Sequence, residues 1–318
     1  MKNSAPMIKV KSIFIIITNF SSVKRKTQKS LIIQQVSQTK HLRFRIQAQK
    51  QLNIFSIFFV SNIIKMMALF LAMSILLASS EQIKLTVLYD NYGYKPGFSY
   101  GWGFSLLIQG LEKTILFDTG ENGIRLKKNL EKMGVNPKEI DLIFLSHIHH
   151  DHTGGLAWLV SAHPGIEVMV PAGFPESFKQ GINNAGGRLR EIKEKTEILD
   201  GVYSSGEFSG SIPEQSLWIK TEKGLIIITG CAHPGIVRIV EEAKKQMKAE
   251  KIYLVIGGFH LFGKTELELK EIIQRFQTLG VERVCPCHCS GDRARKLFHQ
   301  AYGKNYYSGG AGFSLTIP

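Results

Sequence analysis

The sequence predicts an α/β fold, a four-layer αββα sandwich with two β-sheets at its centre and helices outside, preceded by an apolar leader. Three observations carry this expectation. Strands come first, and then strand and helix patterns alternate in two successive stretches. The strands of those stretches are continuous apolar runs, such as Leu142–Leu145, Leu225–Ile228 and Tyr253–Ile256. Ahead of them, residues 1–80 contain no Asp or Glu at all.

The leader accounts for the charge. Its 12 Lys and Arg residues, taken from the formal net charge of +14, leave about +2 on residues 81–318. The folded part is therefore nearly neutral, and no nucleic-acid partner is expected. Ile54 to Ala78 is an apolar run broken only by Ser, Asn62 and Lys65, long enough to cross a bilayer. Met66 to Leu77 resembles a signal-peptide core, with Ala78-Ser79-Ser80 as small residues suited to cleavage. The basic residues lie before or within the run, which places the rest of the chain outside the cytoplasm, exported or anchored through residues 54–78. The rival is a start codon set too far upstream, with Met66, Met67 or Met73 as the true start. Either way residues 1–80 stand apart from a domain spanning 81–318, whose fold begins near Ile83.

Ile83–Tyr89 alternates in the manner of a half-buried strand. Gly103–Ile108 and Lys113–Phe117 pair across a Gln109-Gly110-Leu111-Glu112 turn, and Leu126, Leu130 and Met133 mark a helix closed by Gly134. Leu142–Leu145 is a buried strand. Glu167–Val170, Ser216–Ile219 and Leu225–Ile228 follow as strands, and Ile236, Val237, Val240 and Ala243 as a helix face. Tyr253–Ile256 is again a strand, Leu267, Leu269, Ile272, Ile273 and Phe276 a helix face, and Val281–Cys285 a last central strand. At 44% hydrophobic residues, the 318-residue chain can fill such a core.

The chemistry concentrates where the Leu142–Leu145 strand ends. His147, His149, Asp151 and His152 fall within six residues, and Thr153-Gly154-Gly155 supplies small residues where backbone must pass closely. Alternation points His147 and His149 the same way, and the following turn brings Asp151 and His152 to an adjacent point. With further ligands from elsewhere, this set holds one or two divalent metals: imidazole with carboxylate suits Zn, with Mn or Fe as alternatives. The remote ligands belong at other strand ends, where His233, His260 and His288 stand. We assign His233 and His288 as ligands. His260 is a third candidate ligand, or instead a catalytic group that hydrogen-bonds a substrate oxyanion or a buttress for a ligand. His150 faces away, and His163 and His299 are structural. Asp118 supports the histidine loop by hydrogen bonds or ligates directly. Cys285, Cys287 and Cys289 are spaced too closely for bridges; they are small buried hydrophobes, with a thiol site around His288 as the rival.

The loop Ser146–Gly155 with Phe117-Asp118-Thr119-Gly120 before it resembles the metallo-β-lactamase superfamily. Thr229–Val237, Gly257–Leu261 and Pro286–Gly291 resemble the branch that contains 7,8-dihydropterin-6-yl-methyl-4-(β-D-ribofuranosyl)aminobenzene 5′-phosphate synthase. The resemblance covers roughly residues 83–318 and departs at two points. Cys231 stands where many members place a metal-bridging Asp, so it is a ligand or lies just behind one. Trp102 stands where the branch tends to carry a His. The resemblance implies a metal-dependent hydrolase acting on a small-molecule ester, lactone or phosphate ester, with Asp151 orienting the attacking water. The alternative it implies is a synthase-like transferase releasing diphosphate; a redox or non-catalytic metal protein is the reading from another class. Redox relatives usually carry Glu in place of His149, and a dead site would have lost a loop ligand.

Overall fold

The computed structural model describes residues 37–53, 55–70 and 82–317. The chain divides between Ser79 and Ser80 into two units. The described part of the first is helix α1, Ser37–Phe70, which among the described residues is the one helix long and apolar enough to cross a membrane. It begins well upstream of the expected apolar run, because residues 37–53 are rich in Gln, Lys, Arg and Leu, which favour helix. Ala78-Ser79-Ser80 and Met73 lie outside the described residues.

The second unit contains two sheets. The first has seven strands in the order β13-β1-β2-β3-β4-β5-β6: Ser314–Ile317, Ile83–Tyr89, Ser105–Gln109, Ile115–Phe117, Leu142–Phe144, Glu167–Pro171 and Arg188–Ile192. The second has six, β12-β11-β10-β9-β8-β7: Val281–Cys287, Ile252–Gly258, Gly224–Thr229, Leu217–Thr221, Val202–Ser204 and Thr196–Leu199. Strands β3 to β6 run parallel, as do β10 to β12, while the remaining pairs are antiparallel.

Alternation along each strand builds three apolar layers. Leu85, Val87, Leu106, Ile108, Phe117 and Phe144 of the first sheet meet Ile226, Ile228, Leu254 and Ile256 of the second. The intervening residues Leu88, Leu107, Leu116 and Ile143 point the other way, onto helices α2 (Gly123–Met133), α4 (Leu156–Ala162) and α5 (Glu176–Asn184). On the far side, Trp218, Ile227, Val255 and Val284 pack under α6 (Ile236–Gln246), α7 (Glu266–Leu279) and α8 (Asp292–Tyr302). Helix, sheet, sheet, helix: the four layers predicted from the pattern are present. Between α2 and α4, His150–Thr153 forms α3, a single turn.

Local signals set several boundaries. Asn122 accepts from the backbone of Ile124 and Arg125 to start α2, and Gly134 ends it at φ 69°. Thr265 and Glu268 form a reciprocal capping box at the start of α7. One expectation needs correction. Strand β1 is buried on both faces from Leu85 onward rather than half-buried, because its second face lies under α2 instead of in solvent.

Candidate metal centre

The parallel strands deliver their C-terminal ends to one rim, and the loops leaving them carry the polar residues. Asp118 follows β3, Ser146 to His152 follow β4, Cys231 and His233 follow β10, His260 follows β11, and His288 follows β12. Of the five non-glycine residues with positive φ among the described residues, four lie here: Asp118 at 54°, Ala232 at 62°, His260 at 52° and His288 at 47°. Such backbone is costly and persists where the surroundings over-determine it.

Hydrogen bonds fix which nitrogen each histidine offers. Ser146 Oγ donates to Asp118 Oδ2 at 2.7 Å, so at 2.9 Å it must accept from His147 Nδ1–H. Asp118 Oδ2 also takes His152 Nδ1–H at 2.6 Å. Glu214 Oε2 accepts His233 Nδ1–H at 2.8 Å, and Asn91 Oδ1 accepts His288 Nδ1–H at 2.9 Å. All four rings are thereby held in the tautomer whose Nε2 carries the free lone pair. This is the buttressing that orients metal-binding imidazoles.

Those free lone pairs gather into two pockets. His147, His149 and His233 form the first, with ligand atoms all within 4.8 Å of one another, and Asp151, His152, Cys231 and His288 form the second. In the first, the rings of His147, His149 and His233 are 4.7–4.9 Å apart. In the second, His152 Nε2 lies 3.3 Å from His288 Nε2 and 3.3 Å from Cys231 Sγ, while Asp151 Oδ2 is 3.2 Å from His288 Nε2.

The donor set fits a bound cation. His147 Nε2 is buried with no hydrogen-bond partner in the protein, an arrangement that costs about 1–3 kcal/mol unless something fills it. In the second pocket two lone-pair nitrogens and a carboxylate face each other, which a positive ion between them would relieve. Burial, reinforced by the neighbouring imidazoles, pushes His147 well below its usual pKa and keeps it neutral. Burial works to raise Asp151, yet positive charge at His288 and His152, a role that a cation bound between them would take over, outweighs it and holds the carboxyl below its ordinary range.

The remaining residues sort by distance. Asp118 is fully committed to Ser146 and His152, so it buttresses both pockets. His260 sits outside them, exposed, with its ring 4.7 Å from that of His233. His150 is exposed on α3. Cys285 and Cys287 face the core between the sheets, whereas Cys289 has left the strand and lies 3.7 Å from the Cys231 carbonyl. Trp102, 56% exposed, meets the His288 ring at 5.3 Å.

Sequence reasoning missed Glu214, Asn91 and Asp90. Glu214 is buried and binds the backbone N–H groups of Cys231, Ala232 and His233 as well as the His233 ring. It stands in an irregular stretch before β9 with no periodicity to flag it. Asp90 and Asn91 directly follow β1, and Asp90 Oδ2 accepts the His288 N–H. The strand-end rule that picked out the histidines would have found them had it been applied to carboxylates and amides.

Comparison with known proteins places this geometry. Residues 103–216 match the family model of the metallo-β-lactamase superfamily. The chain is 32% identical over 275 residues to the 7,8-dihydropterin-6-methyl-4-(β-D-ribofuranosyl)-aminobenzene-5′-phosphate synthase of Methanocaldococcus jannaschii, covering 71% of this chain and 94% of that protein. It is 34% identical to the uncharacterized protein MJ0448 of the same organism, covering 73% of this chain and all of its relative. Among solved structures, Tm1679, a metal-dependent hydrolase of the β-lactamase superfamily, superposes with a TM-score of 0.63 at 28% identity, covering 73% of this chain and 98% of that one. A chain with this sandwich, this histidine loop and a relative matched over nearly its whole length belongs to the metallo-β-lactamase superfamily.

Proposed function

We propose that the protein is a metal-dependent hydrolase that directs water onto a small-molecule ester, lactone or phosphate ester. The observation that carries this is the set of four buttressed histidines whose free Nε2 atoms gather into two pockets, one with His149 and the other with Asp151. His147, His149 and His233 would hold one divalent ion, and Asp151, His152 and His288 a second with Cys231 beside them. Zn suits the imidazole-rich first pocket, and Mn or Fe is also compatible with the carboxylate in the second. When bound, such ions supply Lewis acidity toward the attacking water and the substrate oxygen.

The chain's own groups do the rest. The Asp151 carboxylate orients the water and takes up its proton. His260, exposed at the mouth beside His233, is placed to donate a hydrogen bond to the substrate oxygen that gains charge. Trp102 walls the opposite side next to His288 and shapes what enters. Helix α1, by its length and apolar character, would attach the enzyme to a membrane or direct its export.

One observation favours a second reading. The likeness to the synthase extends over 94% of that relative, so the same pockets would hold a diphosphate leaving group during transfer. Purified full-length protein, stripped by a chelator and reloaded with Zn, Mn or Fe, should be assayed against phosphodiesters, lactones and a pterin diphosphate. Metal-dependent hydrolysis of one of the first two classes supports the leading reading; metal-dependent diphosphate release alone supports the second. Turnover that survives metal removal would sink both.

A further inference from the structure

Next to the two histidine pockets lies a donor cluster of different chemistry. Cys231, His260 and Cys289 bring one ligand atom each to within 4.8 Å of one another. They come from the loops after three adjacent strands, β10, β11 and β12. Both thiols are buried, while His260 opens to solvent. Close approach of these loops depends on Gly258: a Cβ there would lie 2.2 Å from Gly230 O and 2.8 Å from Cys289 Sγ. His260 is turned toward the cluster on left-handed backbone, at φ 52°.

We propose that these three side chains form a third cation site, for a thiophilic divalent ion such as zinc, cadmium or cobalt, with the Cys231 thiolate shared between it and the Asp151–His152–His288 pocket. Two thiolates and one imidazole with an open fourth position is a donor set that zinc accepts. Soft thiolates select against Mg, Ca and Mn, so the site discriminates where the carboxylate-bearing pocket does not. At bond lengths of about 2.0–2.3 Å, tetrahedral donors sit about 3.3–3.8 Å apart, so the cluster closes with a small inward movement of its side chains. A thiolate sulfur has lone pairs enough to bridge, and Cys231 Sγ is already 3.3 Å from His152 Nε2. Binding converts each thiol to thiolate with release of one proton to solvent, and no redox change is involved. An ion here would tie the β11 and β12 loops to Cys231 and fix His260 at the mouth. The site stands whether the enzyme is a hydrolase or a synthase.

The test uses full-length protein, freed of metal, kept reduced and titrated with cobalt(II). The readouts are the thiolate-to-cobalt charge-transfer absorption and the bound cobalt. The wild type should give the absorption of three thiolate–cobalt bonds, two from the shared Cys231 and one from Cys289. Cys289→Ser should cut it to about a third and remove about one bound ion per chain, and His260→Ala should weaken that ion's binding about tenfold or more. His147→Ala, which damages only the first histidine pocket, should leave the band intact, so failure of this site and failure of the histidine centre are told apart. A band identical in the wild type and Cys289→Ser, or no band at all, overturns the proposal. If Cys289→Ser does not fold, alkylation mapping of the wild type decides. Cobalt should shield Cys289 from modification, and equal labelling with and without it would count against the site.

Discussion

Glu214 accepts from three consecutive backbone N–H groups and from the His233 ring. Burial alone would raise its pKa, but His233 and those N–H groups outweigh it and hold the carboxylate ionised. Glu214→Gln keeps the shape and removes the charge. Metal affinity, measured by competition with a chelator, should fall about 10–100-fold, and the thermal transition should fall with it because the amide NH2 group meets two buried donors; unchanged affinity would mean that the carboxylate only caps the loop. Gly230 makes the complementary point. A Cβ at that position would lie 2.0 Å from Ser146 Oγ and 3.0 Å from Asp118 Oδ2, where the support for His147 and His152 begins. Gly230→Ala should cost about 1–3 kcal/mol in chemical denaturation and weaken metal binding with it.

At the scale of elements, the strand ends govern what was readable. The apolar runs ending at Leu145, Ile228 and Ile256 were legible because each is buried on both faces, and a histidine just past such a run is conspicuous. Strands β6 to β8 and β13 were not, since they are short, lie toward the sheet edges and mix buried with partly or fully exposed residues. Glu214 was illegible for another reason: a carboxylate in a loop looks like a solvated one until its donors are seen. Helix starts were legible where a side chain caps them, as at Thr265. Thr265→Ala should cost about 1 kcal/mol, read from the denaturation midpoint. Its partner Glu268 is lowered from 4.5 to about 2, first by Lys264 and then by Thr265. A depressed carboxylate stabilises the fold above its ordinary pKa and loses that contribution as pH falls toward the folded value. Stability should therefore drop more steeply between about pH 4.5 and 2 in the wild type than in Glu268→Gln; parallel curves would show that the box contributes nothing in acid.

On the scale of the whole molecule, three apolar layers hold the rim in register, and the one under α6, α7 and α8 is anchored by aromatic rings. Phe259, Phe276 and Phe298 meet at 5.5–5.8 Å between centroids, joining the strand end before His260 to α7 and α8. Phe276→Ala should cost about 3–5 kcal/mol, and a loss below about 1 kcal/mol would show that this layer repacks freely. Helix α1 predicts that full-length protein made in cells is recovered with membranes or outside the cytoplasm, and recovery wholly in the cytosolic fraction would contradict that role. The central claim, though, is that the buttressed histidines hold metal. Elemental analysis of the purified full-length wild type and of His147→Ala measures it directly. The account predicts at least about one divalent transition metal per wild-type chain and a clear loss in the variant. A wild-type protein that stays metal-free after incubation with zinc, manganese and iron would contradict it.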